Sequence, residues 1–209
     1  MSKKYVLNYF PSGGRAELAR FLFLVAGVEF TDNHISKEEW PKVKNDTKKF
    51  PLNQLPTLEV DGRVICQSKA IYRYLASEFN LYGANNDEAS IIDQVGATLF
   101  EFVEQLAKIH FNPALSEDEK KSQILEVYAK DSTKRYFDYL SEIFKANGTG
   151  YFVGDKITLA DIVFFSIGGL VLKFNPTFLE PYPELTGLVE KVKSIESVKK
   201  HLETKKYDM

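Results

Sequence analysis

Apolar and polar positions follow two different rhythms along the chain, and the change falls near residue 80. Tyr5, Val6, Leu7, Tyr9 and Phe10 supply the β-branched and aromatic content of a short strand, which Pro11 through Gly14 interrupt with turn-forming residues. Leu18, Phe21, Leu22 and Val25 then fall at i, i+3, i+4 and i+7, predicting a helix that ends at a capping Gly27. Residues 28–35 read as a second strand, and 36–49 as a polar, Lys-rich surface segment carrying the single tryptophan, Trp40. Residues 55–60 and 63–67 flank the turn pair Asp61-Gly62 and read as a hairpin. Ser68, a good N-cap residue, opens a helix with Ile71, Tyr74 and Leu75. The succession over residues 4–78 fits one small α/β sandwich.

Residues 80–86 form a polar linker, and beyond Asp87 strand signals nearly vanish. Ile92, Val95, Leu99, Phe102, Val103 and Leu106 mark a long helix ending before Asn112-Pro113. Ser116 with Glu119 forms a capping box for a next helix that carries Ile124, Tyr128, Phe137, Leu140 and Phe144 and stops at Asn147-Gly148. Thr158 with Asp161 caps the most apolar helix of the chain, where Gly168-Gly169 implies close helix packing. Loops and two short helices complete the sequence, and the domains are expected at 1–79 and 87–209.

Composition narrows the function classes. A net charge of −2 and a pI near 6.0 give no basic excess for phosphate backbones, so nucleic acid is not an expected partner. The longest apolar run, 162–172, is well short of the ~18 residues of a spanning helix, so no membrane is expected. One cysteine, Cys66, excludes an internal disulfide framework, and the opening Met-Ser-Lys-Lys-Tyr has no apolar signal core; a cytoplasmic protein is expected. The Asn45 and Asn147 sequons are then accidental. Tyr9 sits beside a helix start, where amides and dipole favour an anion; on local residues alone, its reading as a core tyrosine ranks first. Trp40 reads equally as a cap over the core edge and as a ligand contact.

Taken together, Tyr9-Phe10, Gly14-Arg-Ala-Glu17, Leu55-Pro56, Gln67-Ser68-x-Ala-Ile71 and Thr158-Leu-Ala-Asp161, in this order over two domains, resemble a cytosolic glutathione transferase along essentially the whole chain. The opening motif, Glu39-Trp-Pro-Lys-Val-Lys44 and Leu58-Glu-Val-Asp-Gly62 are most similar to the sigma class, with its nematode members and glutathione-dependent prostaglandin D synthase. The resemblance implies an α/β thioredoxin-like N-terminal domain followed by an all-α helical C-terminal domain. It also implies glutathione as co-substrate without a metal, small hydrophobic electrophiles as second substrates, and a homodimer.

By the same resemblance Tyr9 is catalytic, hydrogen-bonding the glutathione sulfur, with Arg15 in its neighbourhood. Trp40 and Lys44 take the glycyl carboxylate end, Gln54 and Leu55 before an expected cis Pro56 take the peptide backbone, and Gln67 with Ser68 take the γ-glutamyl end. Glu101 stands where related subunits lend an Asp to the partner's glutathione, and Gly13 and Gln54 depart from the basic or Met residues common in the class. Phe10, Gly14, Leu106, His110 and Tyr207 are implied to line the hydrophobic substrate site. Moving a thiol pKa from about 8.5 to about 6.5 takes about 2.7 kcal/mol. One hydrogen bond to a charged group supplies about 1.5–3 kcal/mol and a helix terminus about 0.3–1, which together suffice. Two other readings use the same residues: a prostaglandin-endoperoxide isomerase, and a non-catalytic ligand-binding or crystallin-like protein.

Overall fold

The computed structural model describes residues 3–205 and 207. They form two compact units, one holding the chain through Leu81 together with the segment from Lys193 onward, the other Tyr82–Val192.

The first unit runs β1 (Tyr5–Tyr9), α1 (Gly14–Ala26), β2 (Thr31–His34), α2 (Trp40–Val43), β3 (Thr57–Val60), β4 (Arg63–Cys66) and α3 (Ser68–Glu78). The sheet order is β2-β1-β3-β4, with β1 parallel to β2 and antiparallel to β3, the thioredoxin-like arrangement expected. Asp61 and Gly62 turn the β3–β4 hairpin with φ of 48° and 87°, the double left-handed geometry that matches strand twist. Buried Asn8 stitches three adjacent strands, β2, β1 and β3. Its amide donates to Thr57 Oγ1 at 3.3 Å, and its carbonyl oxygen accepts from the Asn33 amide at 2.7 Å. Tyr9 is the next residue, so this stitch anchors the strand end from which the site is built.

The second unit begins with α4 (Asn86–His110), whose Asn85 cap accepts from the Glu88 amide at 3.0 Å. It continues with α5 (Glu117–Ala129), α6 (Asp131–Asn147), α7 (Leu159–Phe174) and α8 (Pro183–Lys193). The predicted Ser116–Glu119 box opens α5. The single helix expected after it is broken in two: Lys130 has an extended ψ of 140°, and the Thr133 hydroxyl donates to the Val127 carbonyl at 2.6 Å, satisfying the severed end. Phe137 centres the core, edge-on to Phe178 and Phe102 at 4.8 and 5.5 Å. A Cβ on Gly168 would lie 3.1 Å from Val189 Cγ2, so α7 and α8 approach closely there, as the glycine pair implied.

The last helix, α9 (Glu196–Thr204), packs on α1 rather than extending the helical unit, although the sequence reading ran the helical domain to residue 209. Val198 is buried, and the Ser197 hydroxyl donates to the Leu24 carbonyl at 2.8 Å. Between α9 and α3, every α1 residue from Ala16 to Phe23 is buried, including Glu17 and Arg20. Gly27 ends α1 in the left-handed conformation, as predicted.

Candidate active site

The Tyr9 hydroxyl accepts a hydrogen bond from the Arg15 amide at 3.2 Å, which puts the phenol oxygen in the first turn of α1. An oxygen that accepts from a helix-start amide retains its proton for donation, and the helix dipole favours negative charge beside it. Gly14 makes the approach possible: a Cβ there would lie 2.7 Å from the hydroxyl, and its φ of +44° is one that other residues rarely adopt.

A second phenol ties this corner to the start of α3. Buried Tyr72 donates its hydroxyl to the Arg15 carbonyl and is hydrogen-bonded to the Ser68 side chain; burial pushes its pKa up. The tips of α1 and α3, each a candidate anion site, are therefore held by one side chain that the sequence reading missed. Ser68 is the first residue of α3 rather than its cap; Gln67 holds the cap position with φ 71°.

An aromatic row leads away from Tyr9. Its ring lies 5.7 Å from Phe10, Phe10 lies 6.0 Å from Trp40, and Trp40 lies 5.1 Å from buried Phe50. Trp40, half-buried, thus covers a core edge while keeping part of its ring outside. Lys44 closes α2 with its amide on the Trp40 carbonyl at 2.9 Å and its side chain exposed. The Leu55–Pro56 bond is cis, as the resemblance implied, and Arg15, Gln54 and Gln67 are exposed. In the second unit Glu101 is exposed on α4 and accepts from the Tyr136 hydroxyl at 2.6 Å. Leu106 is buried, and exposed His110 stacks edge-on to Phe111 at 4.8 Å.

Behind the Tyr9 turn lies a buried charge network. The Arg20 guanidinium is fully buried; it donates to Asp32 from Nε at 2.8 Å, to Glu17 at 3.0 Å and to the Ser12 carbonyl at 2.8 Å. Glu17 also receives His201 at 3.0 Å and Lys205 at 3.1 Å. Burial alone would raise the Glu17 carboxyl, but hydrogen bonds and charge from His201 and Lys205 hold it down to about 2. Tyr207, expected at the substrate site, donates its hydroxyl to Glu17 at 3.3 Å and lays its ring against Arg20, 4.8 Å from ring centre to guanidinium. The signal available in sequence was an acid and a base spaced i, i+3 inside an apolar helix.

A small mixed sheet with a tyrosine at a helix start and a cis-proline loop, followed by a helical unit, defines a thioredoxin-like class of glutathione-handling fold. The family model described as "Glutathione S-transferase, N-terminal domain" matches residues 5–77, and "Glutathione S-transferase, C-terminal domain" matches residues 93–205. The chain belongs to the glutathione S-transferase family. It is 36% identical over 205 residues to probable glutathione S-transferase 7 of Caenorhabditis elegans, covering 96% of each chain. Among solved structures it is similar to monomeric Na-GST-3, a glutathione S-transferase of the hookworm Necator americanus, at 31% identity and TM-score 0.84, covering 96% of this chain and 97% of that one. It is also similar to prostaglandin synthase D of Nilaparvata lugens, at 31% identity and TM-score 0.80, covering 96% and 98%.

Proposed function

We propose that the protein transfers glutathione to electrophilic carbons of small apolar compounds, in the manner of a sigma-class detoxification enzyme of the cytoplasm. The observation that carries this reading is the Tyr9 hydroxyl seated on the Arg15 amide at 3.2 Å. With its oxygen engaged by the helix start, the phenol donates a hydrogen bond to the glutathione sulfur and stabilises the thiolate left when the thiol releases its proton to solvent; the thiolate then attacks the electrophile. Two helix tips, the exposed cations Arg15 and Lys44 and the amides of Gln54 and Gln67 suit a tripeptide with two carboxylates and one ammonium. Among the described residues no helix is long and apolar enough to cross a membrane. The test is conjugation of glutathione to a panel of electrophiles at neutral pH. A prostaglandin endoperoxide belongs in the panel because of the likeness to prostaglandin synthase D; absence of conjugation with every member contradicts the reading.

Gly14→Ala checks the close approach. With a methyl 2.7 Å from the Tyr9 hydroxyl, one of the two must move. Turnover at neutral pH is expected to fall about tenfold while the folded protein still binds glutathione. Single-turnover kinetics beside calorimetric binding separate the two effects.

The proposal extends to a homodimer in which Glu101 of the partner subunit meets the glutathione ammonium. Its exposed position on α4, with the carboxylate oriented by Tyr136, supports this assignment. The hookworm relative is described as monomeric, so sedimentation comes first. Glu101→Gln is expected to weaken glutathione binding about threefold to tenfold and electrophile binding less. Mixed dimers of a Tyr9→Phe subunit and a Glu101→Gln subunit then retain near half activity, because both lesions fall in one site; two impaired sites show action within one subunit.

A further inference from the structure

The turn that presents Arg15 to Tyr9 has little stiffness of its own, since Gly13 and Gly14 follow one another in it. Its order is imposed by Arg20. One nitrogen of the guanidinium, Nη1, spans the carbonyls of Ser12 at 2.8 Å and Gly13 at 3.5 Å, and the Gly13 carbonyl also takes the Ala16 and Glu17 amides that start α1. The position of Arg20 is fixed from two sides. On β2, Asp32 receives Nε at 2.8 Å and Nη2 at 3.3 Å, and is itself touched by His34 at 3.0 Å. On α1, Glu17 receives Nη1 at 3.0 Å. The charge balance of Glu17 comes from the far end of the chain, through His201 and Lys205 on one oxygen and Tyr207 on the other, the oxygen that faces Arg20.

We propose that Lys205 and Tyr207 are positioning residues for the transferase reaction: acting through Glu17 and Arg20, they set the turn that holds the Arg15 amide against Tyr9, and so the ionisation of the bound thiol. The proposal rests on the thiolate reading of the site. When the tail no longer shares Glu17, its carboxylate draws more strongly on Arg20 and pulls Nη1 from the two carbonyls. The glycine turn then relaxes, and the phenol loses the donor that polarises it. The tail touches neither Tyr9 nor Arg15 directly among the described contacts, so its effect appears in the thiol and not in glutathione affinity.

The experiment uses the full chain with Lys205→Met and Tyr207→Phe, singly and together, substitutions that leave Glu17, Arg20 and Asp32 in place. Wild-type protein that fails to conjugate glutathione overturns the functional reading itself. With active wild type, the double variant is expected to bind glutathione within about twofold of wild type, since the ligand contacts are untouched. Its thiolate absorbance titrates at higher pH, and kcat near pH 6.5 falls about fivefold but converges with wild type near pH 9, where the thiol ionises unaided. Lys205→Arg, which keeps the cation, retains the wild-type titration. An unshifted thiol titration in the double variant overturns the proposal, as does a kcat loss of equal size at every pH accompanied by a lower melting temperature.

Discussion

Tyr9→Phe is expected to lower turnover at neutral pH by about tenfold to a few hundredfold while leaving fold and glutathione affinity nearly unchanged. The lost interaction is one hydrogen bond to a charged sulfur, worth about 1.5–3 kcal/mol, and each 1.36 kcal/mol is about tenfold in rate. The ring remains, so its packing against Phe10 at 5.7 Å persists. The Arg15 amide that loses its acceptor belongs to an exposed residue at a helix tip, where water replaces the hydroxyl cheaply. Titration of bound glutathione by thiolate absorbance reports the effect directly. A variant with the same thiol pKa as wild type would show that Tyr9 plays no part in ionisation.

Asp161→Ala is expected to produce the largest loss of stability, about 3 kcal/mol at neutral pH. The carboxylate is fully buried and accepts three hydrogen bonds: the Phe152 amide at 2.9 Å, the Thr158 amide at 2.7 Å and the Thr158 hydroxyl at 2.9 Å. Removing it orphans two buried amides and the cap of the most apolar helix, whereas losing a cap hydroxyl alone typically costs about 1 kcal/mol. The effect also depends on pH. Burial pushes the Asp161 pKa up from 3.8 to about 6, against the three donors that pull it down. A folded pKa above the unfolded one means that the folded state keeps a proton the unfolded state has released. The stabilisation is therefore full below the unfolded value and shrinks as pH rises to about 6. The gap between wild type and Asp161→Ala should be wider near pH 4 than near pH 7, readable from denaturant melts at both values. A gap that narrows on acidification contradicts the assignment.

The parts of this molecule that were legible in its sequence are those where local chemistry and long-range structure agree. Asp61-Gly62 demanded a left-handed hairpin turn, Gly27 a helix end, and Ser116 with Glu119 a helix start, and each stands where its own backbone requirement put it. The break at Lys130 was legible as a slip of phase: Tyr128 and Phe137 lie nine residues apart, about two and a half turns, and so could not share one helix face, with Ser132 and Thr133 between them, and Thr133 is the residue that repairs the severed end. The position of Tyr9 was readable, but what holds it was not. Tyr72 and Arg20 drew no reading and Glu17 entered only as part of a motif, because their partners come from strands and helices that no local window contains. Tyr207 illustrates the same limit: an aromatic near a chain end gives no hint that a buried guanidinium will claim its face.

The charge network also bears on the order of events during synthesis. Glu17 meets His201 and Lys205 across sequence separations of 184 and 188 residues. A nascent chain that has completed β1 through α3 already pairs Arg20 with Asp32 and Glu17, but Glu17 has not yet met His201 and Lys205, and ordinary elongation leaves it so until residues 201–205 emerge. Closing a loop of that length is a slow contribution to folding. The unit that is made first is consequently the one that must wait for α9, and a ribosome stalled anywhere in the helical region holds an α/β sandwich whose buried Glu17 carboxylate still lacks His201 and Lys205.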